Sequence, residues 1–502
     1  MWSTTNPYLN GFYDPLNNQQ SECALRVVGE IPPDLNGSLY RATTNQRFRP
    51  FNPDKTHWFE GDAMVHAFNL RDGKATYSNR WIVEDGLRLE LEAGKALYNG
   101  ILSASGIVQG SLPEGAPLIK APPNVNVISL AGKILAMSEA SPCYWEISPE
   151  KVETLGAFNF DDAFADIGDQ GALTAHPHID MATGEMLFTV INAEANTMDC
   201  FTADAAGNVA SRHRITLDAP SWIHDFAITK TYMVFFLSPL NARPRDPDRI
   251  PKGKGMTFCD PDFGSRVLLV NRATGATIRI AEQDLYMVTH FLNAYEEDGK
   301  IVVDACMCTM EQSPASLVVS DFFPFPLPGV GHSPFSMPML HRWSIDPVAG
   351  TSVHARRGEF DAEFVRIGDD VCGRKHRHGY MAGMYHKKTD RAGFNCLIKM
   401  DCQEDSFLYQ YLGADTDHAP GEPIFVPRPG ATDEDDGWIL SLWGDAGLGT
   451  NELVILDAQN FDGEPVARVK LDHRVTNGFH GNWVSETHLE AGRLARRAAL
   501  AR

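Results

Sequence analysis

The chain has 502 residues, 43% hydrophobic and 22% charged, an ordinary globular balance with room for a large core and an apolar cavity within it. Its net charge of −21 leaves no basic face to neutralise phosphate, which argues against nucleic-acid and anionic-lipid partners. The nine cysteines are irregularly spaced and form no CxxC pair, which excludes a zinc ribbon or thioredoxin-like motif and fits a reducing cytoplasm.

Length alone allows about three domains, but closed all-β architectures run long as one unit. The N-terminal Met1-Trp2-Ser3-Thr4-Thr5 lacks the charged and apolar regions of a signal peptide, and no apolar run approaches a membrane span, so a soluble cytoplasmic protein is expected. Short apolar runs alternate with turn signals along most of the chain. Tight turns are expected at Asp72-Gly73, Asp85-Gly86, Asp298-Gly299, Asp436-Gly437 and Asp462-Gly463, because Asp-Gly tolerates positive φ. Runs 126–129 and 134–137 flank Ala131-Gly132-Lys133, and runs 267–270 and 277–280 flank Ala273-Thr274-Gly275; both read as hairpins. Cys306 and Cys308 alternate in a strand-like run and read as small core residues. Residues 321–340 are crowded with Pro, Phe and Met, so an irregular apolar loop is expected, either a lid over a greasy substrate or packing against the chain itself. Long helical patterns are scarce; the tail 486–502 is Ala-, Leu- and Arg-rich and reads as a helix or a frayed end. The sum is an all-β chain of many short antiparallel hairpins. A propeller or large barrel manages the strand edges best at this size, although no repeat of fixed period is visible.

Three of the 17 histidines lie in apolar, strand-like settings: His224, His290 and His480, in Ile223-His224-Asp225-Phe226, Thr289-His290-Phe291 and Phe479-His480-Gly481. A fourth, His176, lies in Ala175-His176-Pro177. One such histidine is ordinarily a satisfied core residue. Four on widely separated strands suit ligands delivered by different blades to one axis, where neutral imidazole takes Fe, Zn, Cu or Ni. Their spacing matches no local finger or HExxH helix.

The residues around these histidines resemble the carotenoid cleavage oxygenase family, which includes apocarotenoid oxygenases, lignostilbene dioxygenases, isoeugenol oxygenase and the retinoid isomerase of the eye. The resemblance is carried by Asn36-Gly37-Ser38-Leu39-Tyr40-Arg41, His57-Trp58-Phe59-Glu60-Gly61-Asp62, Thr174-Ala175-His176-Pro177, His224-Asp225-Phe226, His290-Phe291-Leu292-Asn293, Glu422-Pro423-Ile424-Phe425 and Phe479-His480-Gly481, in that order over almost the whole chain. It implies one domain over 1–502, with a core of about 25–485: a seven-bladed β-propeller with a dome of loops and short helices over an axial metal. It implies one Fe(2+) per chain on His176, His224, His290 and His480, and glutamates Glu139, Glu359 and Glu422 that accept hydrogen bonds from the ligand imidazoles. Such a carboxylate fixes the tautomer and raises ligand basicity.

The implied chemistry is a non-haem iron dioxygenase that splits a carbon–carbon double bond of a small hydrophobic alkene with O2 into two carbonyl products. A homodimer is left open. Residues 296–299 followed by the Phe-Pro-rich loop look closest to the lignostilbene and isoeugenol branch, so a stilbenoid or related phenylpropanoid is the expected substrate, with an apocarotenoid as the alternative. Phe59 is placed to pack on the substrate or to serve as a structural ring. That branch holds a phenol with a Tyr and a Lys, and those positions fall on Ile101 and Ser138 here, with Tyr98 three residues before Ile101 and Lys133 nearby. Val125 stands where most oxygenases of the family have Thr beside the open iron position, which keeps an iron-dependent isomerase in view. Four histidines would fill a tetrahedral zinc site and leave no position for water, which disfavours a hydrolase. A non-catalytic propeller would have no need of seven metal-site residues.

Overall fold

The computed structural model describes residues 2, 4–54, 56–100, 112–243, 257–310, 336–384, 394–412, 418–445 and 447–500. Among the described residues its strands form eight antiparallel sheets, seven of them the blades of a seven-bladed β-propeller and the eighth the two-stranded ribbon of Leu240–Ala242 with Thr257–Cys259, and there are two α-helices. Blades two to six follow the chain, from the innermost strands Asn126–Leu130, Gly171–Leu173, Ala227–Ile228, Tyr286–Glu297 and Asp361–Arg366 outward. The ring is closed twice. Gly478–Ser485 enters from the C-terminal side and pairs with Gly37–Thr44 in the first blade, while Arg26–Gly29 pairs with Ala467–Lys470 in the seventh.

Seven large apolar clusters hold the ring, one at each contact between neighbouring blades. Phe68 and Tyr77 of the first blade pack on Trp438 and Leu440 of the seventh. Tyr40 and Val65 meet Val127 and Ile134 of the second. The series continues around the axis to the sixth and seventh, where Tyr380 and Leu397 meet Ile439 and Val454. Alternation places every second residue of a strand into one of these contacts, and each large side chain buried there contributes about 1.5–3 kcal/mol.

The hairpins at Asp72-Gly73, Ala131-Gly132 and Asp298-Gly299 form where expected, with both turn residues at positive φ between 49° and 76°. Gly132 has a second reason to lack a side chain: a Cβ there would lie 2.6 Å from Gly492 Cα in the C-terminal helix. That helix, Glu486–Leu500, docks through Leu489 onto the contact between the first two blades. Asp85-Gly86 is not a turn. It opens the helix Asp85–Ala93, because the Glu84 carboxylate accepts from the Gly86 and Leu87 amides and Gly94 ends the helix at φ 67°.

Cys306 and Cys308 are both buried, and all nine cysteines are free. Of the loop expected over 321–340, residues 321–335 and any lid they form lie outside the described residues. Met339 and Leu340 already pair with Met307 and Cys306, so the strand Met339–Asp346 begins earlier than the prolines implied. Among the described residues no helix is long and apolar enough to cross a membrane.

Candidate metal centre

Each expected ligand sits at the inner end of a blade, at a break in regular pairing. His176 follows the strand Gly171–Leu173, and its amide donates to Thr174 Oγ1 at 3.0 Å, which turns the chain before Pro177. His224 precedes the strand Ala227–Ile228, with the Trp222 indole stacked on its ring at 5.3 Å. His290 lies in Tyr286–Glu297 inside a register shift between Val288 and Phe291. His480 lies opposite a shift between Arg41 and Thr43, and its amide donates to Val125 O at 3.0 Å. A bulge frees a residue from the ladder and re-aims its side chain, which is what an axial ligand requires. The flanking glycines follow from close packing: a Cβ at Gly481 would lie 2.4 Å from Tyr40 O.

The four side chains converge, each offering a nitrogen within 4.8 Å of the others. His224 Nε2 and His290 Nε2 are 3.1 Å apart. Two ring nitrogens approach this closely only with a proton or a cation between them. The outer nitrogens of three rings are committed to carboxylates. His224 Nδ1 donates to Glu139 at 2.9 Å, His480 Nδ1 to Glu422 at 2.9 Å, and His290 Nδ1 to Glu363. These bonds leave each Nε2 facing the axis. Among the described residues His176 has no such carboxylate, and its buried Nε2 has no hydrogen-bond partner. Burial and the neighbouring imidazoles push its pKa well below 6.5, so it is neutral and ready to ligate.

Glu363 replaces Glu359 as the third carboxylate. Glu359 is exposed in the bend before the strand Asp361–Arg366 and bonds no ligand, whereas Glu363 is buried on that innermost strand at a register shift. The dipeptide Glu-Phe occurs at both positions, and only the strand-like setting of Ala362–Val365 separates them. Burial alone would raise the Glu422 carboxyl; the His480 ring and the Arg366 guanidinium, 3.4 Å away, overcome it and hold it at about 2. Burial is likewise overcome at Glu139 by His224 and at Glu363 by His290, so both stay ionised. Three carboxylates against one guanidinium leave two negative charges, which a divalent cation on the histidines would neutralise. The orphaned His176 nitrogen, the fixed tautomers and this charge balance all fit a divalent metal.

The centre opens into a cavity of about 840 Å³ lined by His224, His290 and His480. Phe59, Tyr98, Val125 and Ser138 line it as well, and Ile101 lies outside the described residues. Phe59 is also part of an aromatic wall, edge-on to Phe479 at 5.0 Å and to Trp58 at 4.7 Å. Lys133 is spent on Glu146 at 2.5 Å, away from the cavity. Sequence reasoning missed Phe364, whose ring lies over His290 and His480 from a backbone at φ 54°. It also missed the buried ion pairs of Lys120 with Asp62 and Glu90 in the cavity wall. A lysine two residues before a Pro-Pro turn carries no local signal of such a role.

The family model described as RPE65, retinal pigment epithelial membrane protein, matches residues 13–485. The apocarotenoid-15,15'-oxygenase of Synechocystis is 32% identical over 91% of this chain and 92% of its own. The isoeugenol monooxygenase of Pseudomonas nitroreducens is 30% identical over 95% of this chain and 98% of its own. Cobalt-substituted Synechocystis apocarotenoid oxygenase superposes with a TM-score of 0.82 at 28% identity, covering 94% of this chain and 98% of that one. Lignostilbene dioxygenase of Pseudomonas brassicacearum shares the fold, with a TM-score of 0.85 at 24% identity over 97% of this chain and 100% of that one. The chain belongs to the carotenoid cleavage oxygenase family and is an oxygenase of that family.

Proposed function

We propose that this oxygenase is an iron(II)-dependent dioxygenase, with one Fe(2+) per chain, that cleaves a carbon–carbon double bond of a stilbenoid or related phenylpropanoid into two carbonyl products. The observation that carries the reading is the opening of the four-histidine centre onto a large, aromatic-walled cavity. Bound iron would supply the activation of O2. The chain's own part is placement and exclusion of water. The rings of Trp58, Phe59 and Phe479 form a wall suited to a flat aryl group. Val125 offers only methyl groups beside the ligands, while its carbonyl fixes the His480 backbone. The volume falls within the range of cavities that enclose a two-ring molecule.

The alternative, cleavage of an apocarotenoid, is favoured by the 32% identity to the Synechocystis enzyme. The deciding experiment is a mass-spectrometric product assay of the iron-loaded protein under 18O2. The panel holds 4-hydroxystilbene, 4-methoxystilbene, isoeugenol and a β-apocarotenal. Labelled aromatic aldehydes from a stilbene are expected. Labelled products from the apocarotenal alone would move the assignment to the alternative, and a product of unchanged mass would make the protein an isomerase.

A further inference from the structure

The cavity wall is not uniformly apolar. Glu90, buried on the helix Asp85–Ala93, gathers two segments of chain with one carboxylate. Its Oε1 accepts from the Leu97 and Tyr98 amides at 2.8 and 3.2 Å, and its Oε2 accepts from Lys120 Nζ at 2.7 Å. Lys120 gives a second proton to Asp62 Oδ1 at 2.7 Å. Tyr98, Lys120, Asp62 and Glu90 all line the cavity. An ammonium has three donors, and the third proton of Lys120 meets no acceptor among the described residues. The Tyr98 hydroxyl is buried, with the residue 5% exposed, and it too lacks a partner. An unpaired buried hydroxyl costs about 1–3 kcal/mol. Tyr98 through its amide and Lys120 through its ammonium thus share the Glu90 carboxylate, each keeps an unspent donor, and both residues line the same cavity as the metal ligands.

The charge there selects what they hold. Lys120 faces Asp62 and Glu90 directly, with Glu84 close behind, so carboxylates outnumber the one cation. An anionic group would be repelled, whereas a neutral oxygen can take a hydrogen bond from such a donor without adding charge. Burial, with Glu84 and Glu90 nearby, also raises the Tyr98 pKa to about 12, so the hydroxyl keeps its proton.

We infer that Tyr98 and Lys120 form a recognition site for an uncharged oxygen function, an alcohol, ether or aldehyde, on one end of the alkene substrate. The inference rests on the cavity being the alkene site proposed above, and it makes Tyr98 a determinant of specificity.

The test is equilibrium binding to the metal-loaded protein without O2, read by quenching of tryptophan fluorescence, since Trp58 and Trp222 line the cavity. Three stilbenes of matched shape carry 4-hydroxymethyl, 4-ethyl or 4-carboxylate groups; a β-apocarotenal and its hydrocarbon analogue form a second pair. The wild type is expected to bind the oxygenated neutral member of a pair about tenfold more tightly than the hydrocarbon, and the carboxylate more weakly than the alcohol. Tyr98→Phe, which keeps the ring and removes the unpaired hydroxyl, is expected to weaken the oxygenated ligand five- to tenfold, leave the hydrocarbon unchanged and raise the melting temperature of the ligand-free protein by a few degrees. Equal effects on both members, no effect on either, tighter binding of the carboxylate, or binding of none of the five would overturn the assignment. Cleavage is scored separately with O2 present. Oxygen discrimination without cleaved product keeps this site and removes the dioxygenase reading; cleavage without discrimination does the reverse.

Discussion

Glu363 shows how a single residue governs the centre from one bond away. Its carboxylate holds His290 Nδ1 and turns the other nitrogen to the axis. Loss of a carboxylate behind a ligand imidazole typically costs 10–100-fold in metal affinity. Glu363→Gln should weaken iron binding by about that factor, while Glu359→Gln should leave it at the wild-type value; competition against a graded chelator, read by metal analysis, checks both. His224→Ala, which removes a ligand, sets the lower bound in the same assay. If Glu359→Gln weakens iron and Glu363→Gln does not, the placement of the third carboxylate is wrong. His224, His290 and His480 were legible because each interrupts an apolar, strand-like stretch where an unpaired imidazole would be costly, and the family resemblance joined His176 to them as a ligand set. Glu359 was misread because a charged residue beside phenylalanine looks the same in a bend and on a buried strand.

At the scale of elements, the closing blade carries a buried polar chain that ties four segments together. Thr476 Oγ1 donates to Thr43 Oγ1 at 2.9 Å, Thr43 meets His66 Nε2 at 2.9 Å, and His66 Nδ1 meets the Tyr77 hydroxyl at 2.6 Å. Burial, with His473 and Arg41 adding to it, lowers the His66 pKa to about 3. The unfolded chain takes up this proton below about pH 6.5 and the folded chain only near pH 3. The contribution of His66 is therefore complete above pH 6.5 and is lost as pH falls towards 3, on the order of a few kcal/mol in all. The melting temperature should drop steeply between pH 6.5 and 4, and His66→Gln should flatten that slope; parallel slopes in the two proteins would refute the assignment. Elements were read well where turn chemistry was local, as at Asp298-Gly299. They were misread at Asp85-Gly86, where the Glu84 side chain, rather than the dipeptide, decides the conformation.

For the whole molecule, the pattern of alternating runs was enough for an all-β chain but not for seven blades. The contacts between blades ask only for apolar side chains at every second position, and different residues satisfy them at each contact, as Trp438 and Leu440 do on one side and Val127 and Ile134 on another. Nothing then forces a repeat to survive in the sequence. The blade number entered through the family resemblance instead. A metal on the four histidines would add a second constraint to the ring. A ligand bound only by the folded state stabilises it by RT ln(1 + [L]/Kd), about 4 kcal/mol at a thousandfold excess over Kd. Removing iron with a chelator should lower the melting temperature by several degrees, and His480→Ala should melt at the chelated temperature with or without chelator; a variant that still responds to chelator would place the metal elsewhere.

The last of the four histidines lies on Gly478–Ser485, the inner strand of the first blade and one of the two closures of the ring. A growing chain therefore presents three of the histidines before that strand is made and docked. Capture of a metal by all four histidines would then wait for that strand. A product terminated before Gly478 would keep the pairing of Arg26–Gly29 with Ala467–Lys470 but lack the inner strand of the first blade and the fourth histidine, and a bound metal would mark the chains translated past that strand.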